Sequence, residues 1–330
     1  MSLNIEIYKT TIFNLKSVGS FEQVAIEAFN FQYHNNLIYH QYCELIKIQP
    51  EKVTTIEEIP FLPIEFFKSN QILCGNSEVQ TIFTSSGTTG NMQSKHYVTD
   101  LSFYENSFYK AFQYFYGELN EFCILGLLPS YIERKGSSLI YMVNELIKNS
   151  GSSESGFFLY DLDALFYKIQ NLESQGRKYL LIGVSFALLD FVEKYKISIS
   201  NGIVMETGGM KGRRKEITRD ELHTILKTSF GVKQIHSEYG MTELLSQAYS
   251  KADGVFNCPA WMKVLCRDTN DPFTINKHGT GALNIIDLAN INSCCFVETS
   301  DLGKINKDGS FEVTGRFDSS DVRGCNLMVI

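Results

Sequence analysis

Phe83-Thr84-Ser85-Ser86-Gly87-Thr88-Thr89-Gly90-Asn91-Met92-Gln93-Ser94-Lys95-His96 is the stretch on which the reading of this chain turns. An apolar run at 79–83 precedes it and reads as a strand. Thr99-Asp100-Leu101 follows it and reads as the capped start of a helix. A strand, a Gly/Ser/Thr loop and a helix make a cradle for a polyphosphate. Glycines let backbone N–H groups approach an anion, and hydroxyls and a lysine add donors. The spacing does not fit a Walker loop, because no Gly-Lys-Ser/Thr closes it. The bland alternative is a Ser/Thr-rich turn that merely caps a helix.

Outward from this loop the chain alternates. Strand-like runs at 122–128, 156–160, 179–184, 202–206 and 232–237 are separated by helix-like runs near 100–116, 137–149, 161–173, 185–195 and 216–229. That rhythm predicts βαβ crossovers and a largely parallel sheet with flanking helices. Residues 21–47 predict one or two aromatic-rich helices before it. After about residue 255 the runs shorten, at 260–266, 281–287, 295–299, 303–306 and 310–314, and Gly, Asn and Asp turns join them. This tail predicts an antiparallel β subdomain. The expected division is therefore an α/β core at 1–255 with a helical N-terminal segment, and a β-rich subdomain at 256–330.

Composition narrows the partners. The net charge of −7 leaves no basic surplus for neutralising nucleic-acid phosphates. The basic runs 133–135 and 211–215 are short enough to be solvated loops. Eight cysteines without CxxC pairs or Cys/His metal spacing read as reduced thiols, and adjacent Cys294-Cys295 suit a buried strand. No leader-like or membrane-spanning apolar run is present. The expectation is a soluble, cytoplasmic protein.

Four further stretches stand where predicted strands end: Glu206-Thr207-Gly208-Gly209, His236-Ser237-Glu238-Tyr239-Gly240-Met241-Thr242-Glu243, Thr299-Ser300-Asp301-Leu302-Gly303 and Gly315-Arg316-Phe317-Asp318. Open parallel sheets bind ligands outside the carboxyl ends of their strands, so these loops are candidates for one pocket. Taken singly, Tyr239 and Glu243 also read as a core aromatic and a solvated acid, Asp301 as a turn acid, and His236 as a satisfied strand histidine.

In this order the motifs resemble the adenylate-forming superfamily of acyl-CoA synthetases, adenylation domains and luciferases, over residues 83–318. The short length, Lys95-His96 and the ending Ser320-Asp321-Val322-Arg323-Gly324-Cys325-Asn326-Leu327 look most like its LuxE-type acyl-protein synthetase branch. The resemblance implies the fold of the large N-terminal domain of those enzymes, without their mobile C-terminal domain and its lysine. It implies ATP-dependent activation of a carboxylic, typically fatty, acid as an acyl-adenylate, then transfer to a thiol, on Cys325 or on a partner protein.

Position by position, the resemblance gives Thr84, Ser85, Ser86, Gly87, Thr88, Thr89 and Gly90 to the phosphates, with Lys95 as a further phosphate contact. Gly208 and Gly209 lie on the adenine side. Tyr239, flanked by Glu238 and Gly240, stacks on adenine, Thr242 meets the α-phosphate or the substrate carboxylate, and Glu243 holds Mg2+. Asp301 accepts from the ribose hydroxyls with Arg316 nearby. The acid-binding motif of larger relatives is blurred at Leu128-Pro129-Ser130-Tyr131. The alternatives are transfer of the acyl group to coenzyme A or an amine, and an impaired acyl- or nucleotide-binding subunit. For Cys325 the alternative is an inert strand cysteine packed with Leu327, Val329 and Ile330.

Overall fold

A computed structural model describes residues 3–15, 17–86, 92–130, 133–208, 214, 215 and 217–317. These residues fall into two compact units. The first takes its residues from Met1–Ile82, Gly87–Phe103 and Asn257–Ile330; the second takes them from Phe83–Ser86 and Tyr104–Phe256.

The second unit is an α/β layer. Gly156–Phe157, Cys123–Leu127, Tyr179–Val184, Gly202–Thr207 and His236–Tyr239 lie side by side in that order, all parallel. Ala248–Ser250 pairs antiparallel with the last of them. Every residue of Cys123–Leu127 and Tyr179–Val184 is buried, as parallel strands covered on both faces require. The helices Ser138–Asn149, Leu162–Ser174, Ser185–Lys194 and Arg219–Phe230 connect them. Local signals set several of their ends. Asp161 accepts from the Ala164 N–H, and Thr218 with Glu221 forms a capping box. Gly231, at φ 65°, takes the left-handed position that ends the last helix.

The first crossover places Gly156–Phe157 on one side of Cys123–Leu127, and the next places Tyr179–Val184 on the other. The strand order thus reverses direction at Cys123–Leu127, and the parallel strands end together beside that switch point.

The first unit is antiparallel, in the order Ile275–Asn276, Met262–Arg267, Gly279–Asp287, Phe296–Ile305, Phe311–Arg316. Leu62–Pro63 adds a short parallel pairing to Phe296–Ile305. The helices Val18–Asn35 and Leu37–Leu45 bring Phe29 and Tyr39 onto the ring of Phe296. The fully buried Gln32 ties the first of these helices to the sheet. Its amide donates to the carbonyls of Asn290, Ile291 and Ser293 and accepts from the Cys295 N–H at 2.9 Å.

Several sequence expectations change. The run at 79–83 does not enter the parallel sheet. Thr81–Thr84 pairs with Lys95–Val98 in a separate two-stranded sheet, so the phosphate-loop stretch joins two strands before the helix Leu101–Tyr116 begins. The run at 232–237 yields a strand only from His236, which carries the Tyr239 end further along. The two tail strands expected at 295–299 and 303–306 are one, Phe296–Ile305. Cys294 and Cys295 are buried just before it rather than within it.

Gly202 shows how tightly the second unit is filled. A Cβ there would lie 2.2 Å from Tyr179 Cζ. The Tyr179 hydroxyl donates to Glu173 at 2.7 Å, and that carboxylate also accepts from the Ser200 and Asn201 N–H groups, so the ring has little freedom to retreat. Gly202→Ala is expected to lower the urea midpoint, at unchanged slope, by the equivalent of about 1–3 kcal/mol.

Candidate active site

In the second unit Gly208 and Glu238, Tyr239 and Gly240 stand at the carboxyl ends of two neighbouring parallel strands, with Thr242 and Glu243 just beyond. Thr84 instead ends a strand of the separate two-stranded sheet, and Ser85 and Ser86 follow it. The approach to the phosphate loop is fixed by Phe83, buried and set edge-on to Tyr104 at 5.4 Å. The Thr84 N–H donates to the Gly136 carbonyl at 2.7 Å, which anchors the loop's first residues beyond the Cys123–Leu127 strand. Ser85 is half-buried and Ser86 exposed. Gly87, Thr88, Thr89 and Gly90 lie outside the described residues, as do Gly209, Tyr131 and Cys325.

Two neighbouring strand ends are tied together. The Thr207 hydroxyl donates to Glu238 Oε2 at 2.5 Å. Gly208, with φ 63°, turns the chain immediately afterwards, and its carbonyl accepts from the Ser185 hydroxyl at 2.6 Å. Ser185 is also 3.5 Å from the buried Glu206. Glu206 in turn has Arg219 Nε at 3.7 Å and His223 Nε2 at 3.6 Å, so its carboxylate is not left alone in a low-dielectric site.

Arg219 continues the chain of support. Its guanidinium lies over the Phe256 ring at 5.2 Å, and Phe256 packs against the Tyr239 ring at 5.8 Å. Tyr239 is half-exposed, an aromatic face held from behind and able to meet a flat ligand. Gly240 follows because the space is taken: a Cβ would come within 2.4 Å of Glu238 Oε1 and 3.3 Å of Gln247 Cγ. Thr242 is half-buried, and Glu243 is 5% exposed.

Glu243 fits one role well. Mg2+ usually takes one or two carboxylates and completes its octahedron with waters and substrate phosphates. A single sheltered carboxylate suits that pattern. Among the described residues no three His, Cys, Asp or Glu side chains cluster as a protein-only metal cage would need.

His236 is placed as a strand histidine. Its Nδ1 lies 3.3 Å from the Tyr116 hydroxyl, and burial, with Lys251 nearby, pushes its pKa down to about 4. It is neutral at pH 7 and is a poor proton donor there.

The first unit holds the remaining predicted residues. Lys95 is exposed at the start of its strand, while His96, on the opposite face, is buried with Nε2 3.0 Å from Asn290 Oδ1. Asp301 and Arg316 are register partners, with Nε 3.6 Å from Oδ1. Asp301 does not end a strand as expected. It sits within Phe296–Ile305, where the register shifts. The seven described cysteines form no disulfide, and burial pushes the Cys43, Cys74 and Cys258 thiols up to about 12, the inert form.

Ser185, Thr207, Arg219 and Phe256 were not singled out by the sequence. Only Thr207 carried a signal, its place in the strand-ending Glu206–Gly209 stretch.

His236 gives a test of this geometry. Its folded pKa lies below the unfolded value near 6.5. The stability it contributes is therefore present above pH 6.5 and lost as pH falls toward about 4. His236→Gln is expected to flatten the thermal-stability profile in that window and leave the pH 7–8 region little changed.

Known proteins resemble this chain in sequence and in fold. A curated relative from Vibrio harveyi, long-chain-fatty-acid–luciferin-component ligase, is 23% identical over 330 residues, covering 91% of this chain and 84% of its own. The solved 2-hydroxyisobutyryl-CoA ligase, in complex with 2-HIB-AMP and CoA, superposes with a TM-score of 0.66 at 12% identity, over 92% of this chain and 70% of that one. O-succinylbenzoate coenzyme A synthetase from Bacillus subtilis, solved with ATP and magnesium, gives 0.51 at 16% identity, over 73% and 50%. The chain spans about half the length of the ATP-bound relatives it matches in structure. These structures establish the fold, that of the N-terminal domains of adenylate-forming enzymes. The acyl-protein synthetase LuxE sequence profile matches residues 16–330, and the chain belongs to that family.

Proposed function

We propose that this chain activates a long-chain carboxylic acid with ATP and delivers the acyl group to a thiol. The family match over residues 16–330 carries the reading. The placement of Gly208 and Tyr239 at the carboxyl ends of neighbouring parallel strands, with Glu243 just beyond the second, supports it. A carboxylate oxygen attacks the α-phosphorus, the bond to the β-phosphate oxygen breaks, and pyrophosphate leaves. A thiolate then attacks the acyl carbon, and AMP departs with the electron pair of the mixed anhydride.

Both reactants of the first step are anionic, so aligned donors and cations must offset their repulsion. Thr84 to Gly90 and Lys95 would meet the phosphates. Tyr239, backed by Phe256, would stack on adenine beside Gly208, Gly209, Glu238 and Gly240. Thr242 would meet the α-phosphate or the entering carboxylate. Asp301, with Arg316, would take the ribose hydroxyls. Glu243 would hold Mg2+, which supplies charge neutralisation at the phosphates. The acceptor is Cys325 or a thiol on a partner protein, and the setting is the cytoplasm.

ATP–pyrophosphate exchange across saturated acids of increasing length tests the first step. Exchange is expected with long chains and a drop of about 100-fold in Glu243→Gln. No exchange with any acid, with ATP still bound, sinks the enzyme reading. For the second step, a hydroxylamine-labile acyl label is expected on the protein and absent from Cys325→Ser, which keeps exchange. A label that survives this substitution excludes self-loading, and coenzyme A consumption in its place points to the acyl-CoA alternative.

A further inference from the structure

Within the first unit, the strand that carries Asp301 is irregular at Asp301 itself. Ala282 pairs with Leu302 and Asn284 with Glu298, so Leu283 alone faces Thr299, Ser300 and Asp301. Such a bulge breaks the ladder and re-aims a side chain, and its backbone groups need other partners.

They have them. The Thr299 hydroxyl donates to the Leu283 carbonyl at 2.6 Å and accepts from the Asp301 N–H at 3.1 Å. The Phe317 N–H donates to the Ser300 carbonyl at 2.7 Å. The Thr299 carbonyl accepts from Arg267 Nη2 at 2.9 Å. Arg267 comes from two strands away. It pairs in register with Ala282 on the intervening strand, and its side chain passes beneath that strand to the bulge.

Arg267 is 9% exposed and Asn284 1% exposed. Arg267 Nε donates to Asn284 Oδ1 at 3.1 Å, and Nη1 lies 3.4 Å from Glu298 Oε1. The buried Asn284 amide nitrogen finds no acceptor among the described residues, so the arginine is what holds that side chain in place. One guanidinium thus braces both strands flanking the bulge with three donors in a fixed plane, a geometry that lysine cannot reproduce.

We propose that Arg267 is a positioning residue for nucleotide binding. It fixes the Thr299–Asp301 bulge so that the Asp301 carboxylate meets the ribose hydroxyls. The inference rests on the ribose role of Asp301 in the reading above.

The test is titration calorimetry of the full chain with Mg2+ and ATP, 2′-deoxy-ATP or 3′-deoxy-ATP. Wild type is expected to prefer ATP, and Asp301→Asn to lose that preference. Arg267→Gln is expected to lower ATP affinity about five- to tenfold and leave the deoxynucleotide that lacks the contacted hydroxyl nearly unaffected. Arg267→Lys should fall between. A merely structural arginine would weaken all three nucleotides together. Should Arg267→Gln fail to fold, Thr299→Val loosens the same bulge and must show the same selective loss. A folded Arg267→Gln that retains full ATP preference, while Asp301→Asn has lost it, overturns the inference alone. Full preference in Asp301→Asn overturns the ribose assignment, and the inference with it.

Discussion

A parallel sheet buried on both faces can offer polar groups only where its strands stop. Cys123–Leu127 and Tyr179–Val184 are wholly buried and, apart from the Tyr179 hydroxyl at the start of the second, apolar or glycine. They give the second unit its stability and no chemistry. What this sheet offers to an anion or a flat ring therefore collects at one edge, where Gly208 and Tyr239 stand. The same constraint explains the supporting cast. Glu206 and Thr207 end a strand, Ser185 and Arg219 open helices, and together they satisfy backbone and carboxylate groups that the ladder no longer covers.

The support has a direction. Tyr239 rests on Phe256, Phe256 on Arg219, and Arg219 on Glu206, whose neighbour Thr207 returns to Glu238 beside Tyr239. Rigid aromatic and charged groups close a ring around the signature, so that its half-exposed face needs little reorganisation to meet a ligand. Preorganisation of this kind is where binding sites of modest size gain their affinity.

Cys123–Leu127 and Tyr179–Val184 were legible because burial leaves unbroken apolar runs, closed by Pro129 and Ser185. The motif order was equally legible. What escaped the sequence was pairing. Lys95–Val98 hid its alternation because His96, written as a polar residue, is the one facing Phe67 and Asn290 in the core. Residues 300–302 looked like a gap between two strands because Ser300 and Asp301 interrupt the apolar pattern. Only the register shows them as a bulge in one strand. Arg267 carried no signal at all. It ends an apolar run, and its partners lie across a strand that no local pattern can locate.

Gln32 has one more consequence, and it concerns time. The second unit draws most of its residues from the continuous stretch 104–256, whereas the first is assembled from both ends of the chain. The helix that carries Gln32 is synthesised early, yet the Cys295 N–H that its amide captures appears 263 residues later. Until then Phe29 and Tyr39 have no Phe296 to pack on, and the aromatic faces of the N-terminal helices stay wet. On the ribosome the parallel unit can therefore close first, while the antiparallel one waits for the last strands to emerge. The interval during which those helices are exposed is set by elongation rate, and it is the stage of this protein's life at which a chaperone has something to hold.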